Sequence, residues 1–254
     1  MKKGKAPRTA RRAPSRGRAG FATPAASRKR MVIAMDGPAG VGKSTVGQCV
    51  AKALGYHFIN TGEMFRALTW KALEEGIDVS DQEAVVRLAR RLKWEFRPAG
   101  GGVALKTFLD GQPVTVQIRE ERVSVNTSAV ASNPGVRRFL CRLQRRLGRG
   151  GGIVMEGRDI GTHVFPEADF KFYLDASAAE RARRRYKQLK ASGLSANLRR
   201  IHAAILQRDQ NDSKRKINPL SRSTDAALID STRLSMRQVA RAMLGLIRAG
   251  GRAA

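Results

Sequence analysis

A glycine-rich turn between a buried strand and an amphipathic helix constrains the fold of this chain more than any other feature. The turn at 37–44 reads Gly-Pro-Ala-Gly-Val-Gly-Lys-Ser and matches the pattern of a phosphate-binding P-loop. The apolar run 31–35 precedes it, and Val46, Val50 and Leu54 then recur at four-residue spacing on one helical stripe. A strand, this turn and a helix in that order predict an α/β fold that binds a nucleotide phosphate.

The turn also assigns chemistry to its own residues. Its glycines allow successive N–H groups to face a phosphate, and the next helix directs its positive end at the same anion. Lys43 would neutralise the β- and γ-phosphates of ATP or GTP, and the Ser44 hydroxyl would ligate Mg²⁺. The predicted donor-nucleotide contacts are Gly37, Pro38, Ala39, Gly40, Val41, Gly42, Lys43, Ser44 and Thr45.

A second metal contact is predicted at the end of another apolar run. Glu156 follows the buried-strand run 152–155, at the place where P-loop proteins hold the acid that orients magnesium through water. A carboxylate that caps a helix or forms a salt bridge is the alternative interpretation.

Strand and helix patterns alternate along the chain and predict a parallel sheet flanked by helices. The predicted core strands are 31–35, 56–60, 152–155, 170–174 and 226–229. The predicted helices are 43–54, about 62–75, 81–92, 120–131, 134–147 and 198–212. Two more are predicted from capping boxes, one opened by Ser177 and Glu180 and one opened by Ser235 and Gln238. Three β-rich runs, 92–97, 103–109 and 113–118, predict a small antiparallel insert.

Charge points to polyanionic partners. The chain has 49 Lys and Arg against 21 Asp and Glu, a formal charge of +28, and 11 of the basic residues lie in 1–30 without any acid. Nucleic acid and phosphorylated small molecules both fit this charge. We interpret 1–30 as a disordered basic tail, with an organelle transit peptide as the alternative.

The apolar residues and the cysteines indicate the compartment. No run of eighteen apolar residues occurs, so no membrane-spanning helix is expected. Cys49 and Cys141 lie far apart and outside any metal-ligand pattern, which favours a reducing compartment. We therefore expect a cytoplasmic protein.

Several arginines stand at the ends of predicted elements, where ligands of parallel α/β sheets gather. They are Arg66, Arg158, Arg208 and Arg215. A kinase needs such cations to hold a second polyanion in line with ATP, although each arginine alone could be a solvated surface residue. The basic run 181–185 could be a charged face or a mobile cover over the transferring phosphate.

Longer stretches of the sequence resemble the bacterial cytidylate kinase family of nucleoside monophosphate kinases. The matching runs are 36–45, 61–66, 156–162, 172–177, 208–215 and Pro219-Leu220, and the resemblance covers about 31–249. It implies a P-loop core at about 31–60 and 150–254, a monophosphate-binding region with the β insert at about 61–149, and a lid at about 181–215.

The resemblance also implies residue roles. Lys43, Arg158, Arg184 and Arg215 would be catalytic. Arg66, Arg158 and Arg215 would hold the CMP phosphate beside Thr61, and Arg208 and Asp212 would contact the sugar. Ser128, Arg137 and Asp159 would read the cytosine edge, and Phe65 stands where the family often has Tyr.

The sequence thus predicts a monomeric enzyme that uses ATP and Mg²⁺ to convert CMP and dCMP to CDP and dCDP. A guanidinium suits the O2 and N3 acceptors of cytosine, and a carboxylate or hydroxyl suits its amine. Two alternatives stay open. One is a P-loop kinase for a different monophosphate or a shikimate-like acceptor, and the other is a nucleic-acid-binding ATPase that uses the basic tail.

Overall fold

A computed structural model describes residue 1 and residues 30–98 and 100–250. The prediction of a disordered tail therefore lies almost entirely outside the described residues. The core is a five-stranded parallel sheet in the order β2-β6-β1-β7-β8. Its strands are β1 (Val32–Asp36), β2 (His57–Asn60), β6 (Ile153–Glu156), β7 (Phe170–Asp175) and β8 (Ala227–Asp230). The predicted α/β fold with a parallel core sheet is confirmed.

The register of the sheet places the ends of its central strands together. Met35 pairs with Glu156 on one side and with Phe172 on the other, and Asn60 also pairs with Glu156. Because the strands are parallel, the residues that follow β1, β2 and β6 emerge at one edge. The P-loop and the chain after Glu156 therefore share that edge.

Helices cover both faces of the core sheet. The central strands β1 and β6 are buried on both faces, which explains why they read as continuous apolar runs in the sequence. Helices α1 (Lys43–Leu54) and α8 (Met236–Arg248) pack together, and they bury Met35, Phe172 and Met243 in one cluster. The opposite face buries a second cluster that includes Cys141 of α5 (Pro134–Gly148).

The region between β2 and β6 contains α2 (Thr61–Glu74), α3 (Gln82–Arg91), β3 (Trp94–Pro98), β4 (Leu105–Leu109), β5 (Gln112–Pro113) and α4 (Glu121–Ser132), followed by α5. Strands β3, β4 and β5 form the predicted antiparallel sheet. It is tied to the core where the Phe58 N–H donates to the Val103 carbonyl at 2.9 Å.

The third strand of this insert was predicted too long. Instead of a strand over 113–118, β5 ends at Pro113, and a 3₁₀ turn forms at Gln117–Arg119. Val114 is fully buried, while Val116 is 77% exposed. The alternating β-formers therefore belong to a turning segment that buries one valine and presents the other to solvent.

The last helices begin at side-chain caps. Ser235 and Gln238 form the predicted capping box at the start of α8. Helices α6 (Ala178–Ala191) and α7 (Leu198–Ser213) pack against each other. Ser177 caps α6 by accepting from the Glu180 N–H, but its own N–H donates to Thr232. The predicted second half of that capping box is therefore wrong.

Within the described residues, no helix combines the length and hydrophobicity needed to cross a membrane.

Candidate active site

The P-loop backbone requires glycine at its two ends. Gly37 has φ +140°, and a Cβ there would lie 2.0 Å from the Leu174 carbonyl oxygen. Gly42 has φ +98°, and a Cβ there would lie 2.2 Å from the Met236 sulfur. Any other residue would clash as well as adopt a strained backbone. Strand β7 and helix α8 therefore pack closely against the loop and restrict its conformation.

Lys43 is held inside the loop. Its Nζ donates to the carbonyl oxygens of Gly37 and Pro38, both at 2.7 Å, and the residue is 6% exposed. Burial, reinforced by the charge of Arg158, lowers the pKa of Lys43 to about 7. A phosphate in the loop would add opposite charge and favour the protonated lysine.

Three oxygen-bearing side chains lie between the P-loop and β6. The Ser44 hydroxyl donates to Glu156 Oε1 at 2.6 Å, and the Thr61 hydroxyl donates to the Glu156 carbonyl at 2.7 Å. Burial raises the pKa of Glu156. Its buried Oε2 has no hydrogen-bond partner among the described residues. A hydroxyl and a buried carboxylate with a spare oxygen fit Mg²⁺, which takes few protein ligands and completes its shell with phosphate and water.

Asp36 organises the turn that follows β6. Its two carboxylate oxygens accept from the Ile160 and Gly161 N–H groups at 2.8 and 2.7 Å. These amides open a π-helical turn, Ile160–Val164. The residue is 5% exposed, and burial raises its pKa to about 6. Asp36 thus anchors the segment that carries Arg158 and Asp159.

Arg158 is the centre of a group of cations. Its Nε donates to Asp212 Oδ2 at 2.8 Å. Burial lowers the pKa of Arg208 to about 10, with Arg158 as the second cause, and burial also lowers that of Arg215 to about 10, where Arg158 contributes. Arg208 and Arg215 therefore stay protonated at neutral pH. With Arg158 and Lys43 they form a positive region whose repulsion nearby carboxylates, including Glu156, Asp159 and Asp212, offset in part.

Arg66 lies at the margin of this group. It donates to the Ile118 carbonyl and the Ser124 hydroxyl, both at 2.9 Å. Its pKa is lowered, first by burial and then by Arg185, and its charge in turn lowers the pKa of Arg208. Arg66 thus bonds to the 3₁₀ turn and to α4 while remaining in electrostatic range of α6 and α7.

The residues predicted to read cytosine divide between two places. Arg137 and Asp159 form a buried ion pair at 2.5 Å, and the Arg137 guanidinium lies 5.5 Å from the Phe65 ring centroid. Ser128 is exposed on α4 instead. It lines a cleft of about 510 Å³ between α4 and α7, together with Arg215 of the segment after α7. Because Arg137 lowers the pKa of Arg215, the two places are electrostatically connected.

The lid candidate Arg184 contacts the outside of the P-loop. It donates to the Val41 carbonyl at 3.3 Å and to the Ser231 hydroxyl and carbonyl at 3.1 and 2.5 Å. Arg181 approaches the loop more closely. It donates to the Ala39 carbonyl at 3.1 Å and holds Asp209 with two hydrogen bonds.

Arg181, Asp209 and Asp36 carry functional contacts that sequence patterns did not single out. A buried arginine one turn into a basic helix has no distinguishing signal, because the exposed arginines around it look the same. Asp36 could have been noticed, since a carboxylate that ends a buried strand needs partners.

The chain is similar in sequence to proteins of known family. A family model described as cytidylate kinase matches residues 33–249. The chain belongs to the cytidylate kinase family. A cytidylate kinase of Limosilactobacillus reuteri is 45% identical over 212 residues, 83% of this chain and 92% of that protein. One of Geobacillus kaustophilus is 43% identical over 220 residues, 87% and 97% of the two chains.

Some relatives of the family carry a second activity in their name. A bifunctional pantoate ligase/cytidylate kinase of Synechococcus sp. is 46% identical over 212 residues, which make up 83% of this chain and 39% of that protein. Among solved structures, a shikimate kinase of Acinetobacter baumannii covers 88% of this chain at 16% identity with a TM-score of 0.43. That similarity is too weak to bear on the acceptor of this family member.

Proposed function

We propose that this cytidylate kinase family member transfers the γ-phosphoryl group of ATP to CMP and dCMP, with Mg²⁺ bound to the nucleotide. The observation that carries the proposal is the convergence of Lys43, Arg158, Arg208 and Arg215 beside a P-loop. Burial lowers the pKa values of Lys43, Arg208 and Arg215, and the charge of Arg158 lowers each of them further. Such a region is suited to two phosphates held end to end.

On the donor side, the loop at 37–45 would bind ATP. Lys43 would leave the Gly37 and Pro38 carbonyls and contact the β- and γ-phosphates. Ser44 would ligate Mg²⁺, and Glu156 would hold it through water. When bound, the metal neutralises charge on the transferring group and its leaving oxygen.

On the acceptor side, Arg158 and Arg215 would hold the CMP phosphate with Arg66, and Thr61 would lie beside it. Arg208 and Asp212 would contact the sugar. Because Asp212 holds Arg158 at 2.8 Å, the sugar contact and the phosphate contact are mechanically linked. No covalent nucleophile is needed, since positioning and charge neutralisation provide the catalysis.

The base would be read by Arg137, Asp159 and Ser128, with the Phe65 ring against it. The guanidinium would donate to O2 and N3, and the carboxylate or hydroxyl would accept from the amine. Uracil has a carbonyl at position 4 and a donor at N3, so it would leave these groups unpaired.

Closure would bring α6 and α7 over the phosphates. We propose Arg184 as the lid cation nearest the transferring group. The contacts of Arg181 with Ala39 and Asp209 suit it to couple the lid to the P-loop.

An acceptor panel tests the proposal. ADP release is measured with CMP, dCMP, UMP, AMP and shikimate for the wild type, for Arg158→Ala and for Arg90→Ala, an exposed arginine of α3. We expect turnover with CMP and dCMP that falls by roughly a thousandfold or more in Arg158→Ala, because a phosphate contact is lost. Arg90→Ala should match the wild type. Absence of turnover with CMP would refute the proposal.

Assembly and compartment complete the proposal. We propose a monomer in the cytoplasm, where both free cysteines, the exposed Cys49 and the buried Cys141, remain reduced. Light scattering of the purified protein with and without CMP measures its mass, and a dimer in either state would contradict the monomer.

A further inference from the structure

A second concave surface lies at the edge of the core sheet opposite the P-loop. It encloses about 870 Å³. We name it the arginine groove, defined by Arg142, Arg145 and Arg146 of α5, by Arg149 that caps this helix, and by the rings of Phe139 and Phe165. Glu167 is the one acidic residue among those that line it.

The topology separates this groove from the active site. Val32, the first residue of β1, lines the groove, whereas the P-loop follows the last residue of that strand. Arg137, near the start of helix α5, lies in the active site. The groove arginines lie at the opposite, C-terminal end of the same helix. The basic segment 1–30 joins the described core at Arg30, two residues before Val32.

The four arginines differ in what they contact. Arg145 is committed to the fold, since it donates to the Val164 and His163 carbonyls at 3.0 and 2.7 Å. Arg142 lies 6.0 Å from the Phe139 ring centroid. Arg142, Arg146 and Arg149 are exposed, and none of the three has an ion-pair partner within the described part of the chain.

Stabilisation of the helix C-terminus accounts for Arg145 and Arg146 in the last turn. It does not account for the rings of Phe139 and Phe165, which pack against core clusters on one side and line the groove beside these guanidiniums on the other. Aromatic and guanidinium faces that stack on bases, set in a positive groove that tracks phosphates, are the features that bind single-stranded nucleic acid. The span from Arg142 to Arg149 is roughly 10 Å along the helix, which exceeds one phosphate group and favours a polymer.

We propose that the arginine groove binds single-stranded nucleic acid, independently of CMP phosphorylation. Arg142, Arg146 and Arg149 contact successive phosphates, and the rings of Phe139 and Phe165 stack with bases.

The test uses the full chain and a fluorescein-labelled oligouridine RNA of about ten nucleotides. CMP and ADP are present at saturation, so that the active site is occupied. The groove variant is Arg142→Gln/Arg146→Gln/Arg149→Gln. The control variant is Arg90→Gln/Arg241→Gln/Arg248→Gln, three exposed arginines elsewhere that change the net charge equally.

We expect the groove variant to bind the RNA at least about tenfold more weakly, and the slope of log affinity against log salt to shrink by about 2. The control variant should stay within about twofold of the wild type. CMP phosphorylation should be unchanged in both. Equal weakening of the two variants would mean that net charge alone attracts RNA, and the groove would lose its role.

Photocrosslinking maps the contact on the wild-type protein and does not depend on the variants. RNA that contains 4-thiouridine should crosslink to peptides that include Phe139 or Phe165. Crosslinks confined to residues 1–30, or no RNA binding by the wild type, would overturn the proposal. Displacement of the RNA by UMP at an equal concentration of nucleotide units would also overturn it, because the groove would then hold one nucleotide rather than a strand.

Discussion

At the scale of single residues, the site is organised by carboxylates that the fold has taken out of water. Asp36 accepts two backbone N–H groups from the turn after β6, and Asp159 in that turn holds Arg137. Asp212 holds Arg158 from α7. Each acid therefore fixes a segment or a cation that the proposed chemistry uses, without itself contacting the transferring phosphate.

Asp36 makes the stability of the protein depend on pH in a predictable direction. Its pKa is raised by burial from 3.8 to about 6, so between these values the folded state binds more protons than the unfolded state. The free energy of unfolding contributed by Asp36 therefore falls as pH rises through this window, by as much as about 3 kcal/mol. Urea unfolding of the wild type and Asp36→Asn at pH 4 and 6.5 measures the difference. A difference that does not change with pH would show an unperturbed carboxyl.

Replacing one partner of the Arg137–Asp159 pair should lower the free energy of unfolding more than replacing both partners. Both side chains are at most 10% exposed, and Arg137 Nε already has no hydrogen-bond partner among the described residues. Asp159→Leu alone leaves a buried cation and should destabilise the protein by about 3–5 kcal/mol. Adding Arg137→Met should recover much of that loss, as urea unfolding would show. No recovery in the double variant would mean that the two residues do not act as a pair.

At the scale of elements, packing around helical glycines gives a matched pair of tests. A Cβ on Gly47 in α1 would lie 2.4 Å from the Phe58 ring, whereas a Cβ on Gly245 in α8 would meet nothing within 4 Å. Gly47→Ala should therefore destabilise the protein by about 1–3 kcal/mol through overpacking. Gly245→Ala should stabilise it by up to about 1 kcal/mol through helix propensity. The two variants have the same chemical change, so equal free energies of unfolding would contradict this assignment of helix faces.

Elements with a local signal were predictable from the sequence. The P-loop, each helix and strand of the α/β alternation, and the Ser235/Gln238 capping box are specified by residues close together in the sequence. The failures involve distant partners. Thr232 accepts a hydrogen bond from the Ser177 N–H, and Asp36 accepts from the π-helical turn 124 residues away. Val114, which follows β5, is buried in a core cluster formed by residues far away in the sequence. Likewise, the packing of α6 against α7 determines that Arg181, and not a neighbouring arginine, contacts Ala39 and Asp209.

At the scale of the whole molecule, the dominant feature is concentrated positive charge. Part of the formal charge of +28 lies in the site, where burial and then the repulsion of nearby cations lower the pKa values of Lys43, Arg208 and Arg215. This repulsion is a cost of the unliganded fold. A bound phosphate relieves it, so the enzyme should be most stable when its anionic substrate is present.

This charge predicts a thermal shift that depends on phosphate rather than on the base. At a CMP concentration about 100 times its dissociation constant, binding should add about 2.7 kcal/mol. For a domain of this size that raises Tm by about 5–10 °C. Cytidine at the same concentration should raise Tm far less, because it cannot neutralise Arg158 and its neighbours. Arg158→Ala should reduce the CMP shift while raising the Tm of the unliganded protein or leaving it unchanged, since one repelling cation is gone. Differential scanning fluorimetry measures all five conditions, the wild type unliganded, with CMP and with cytidine, and Arg158→Ala unliganded and with CMP. Equal shifts from CMP and cytidine would show that the cation group does not hold the acceptor phosphate.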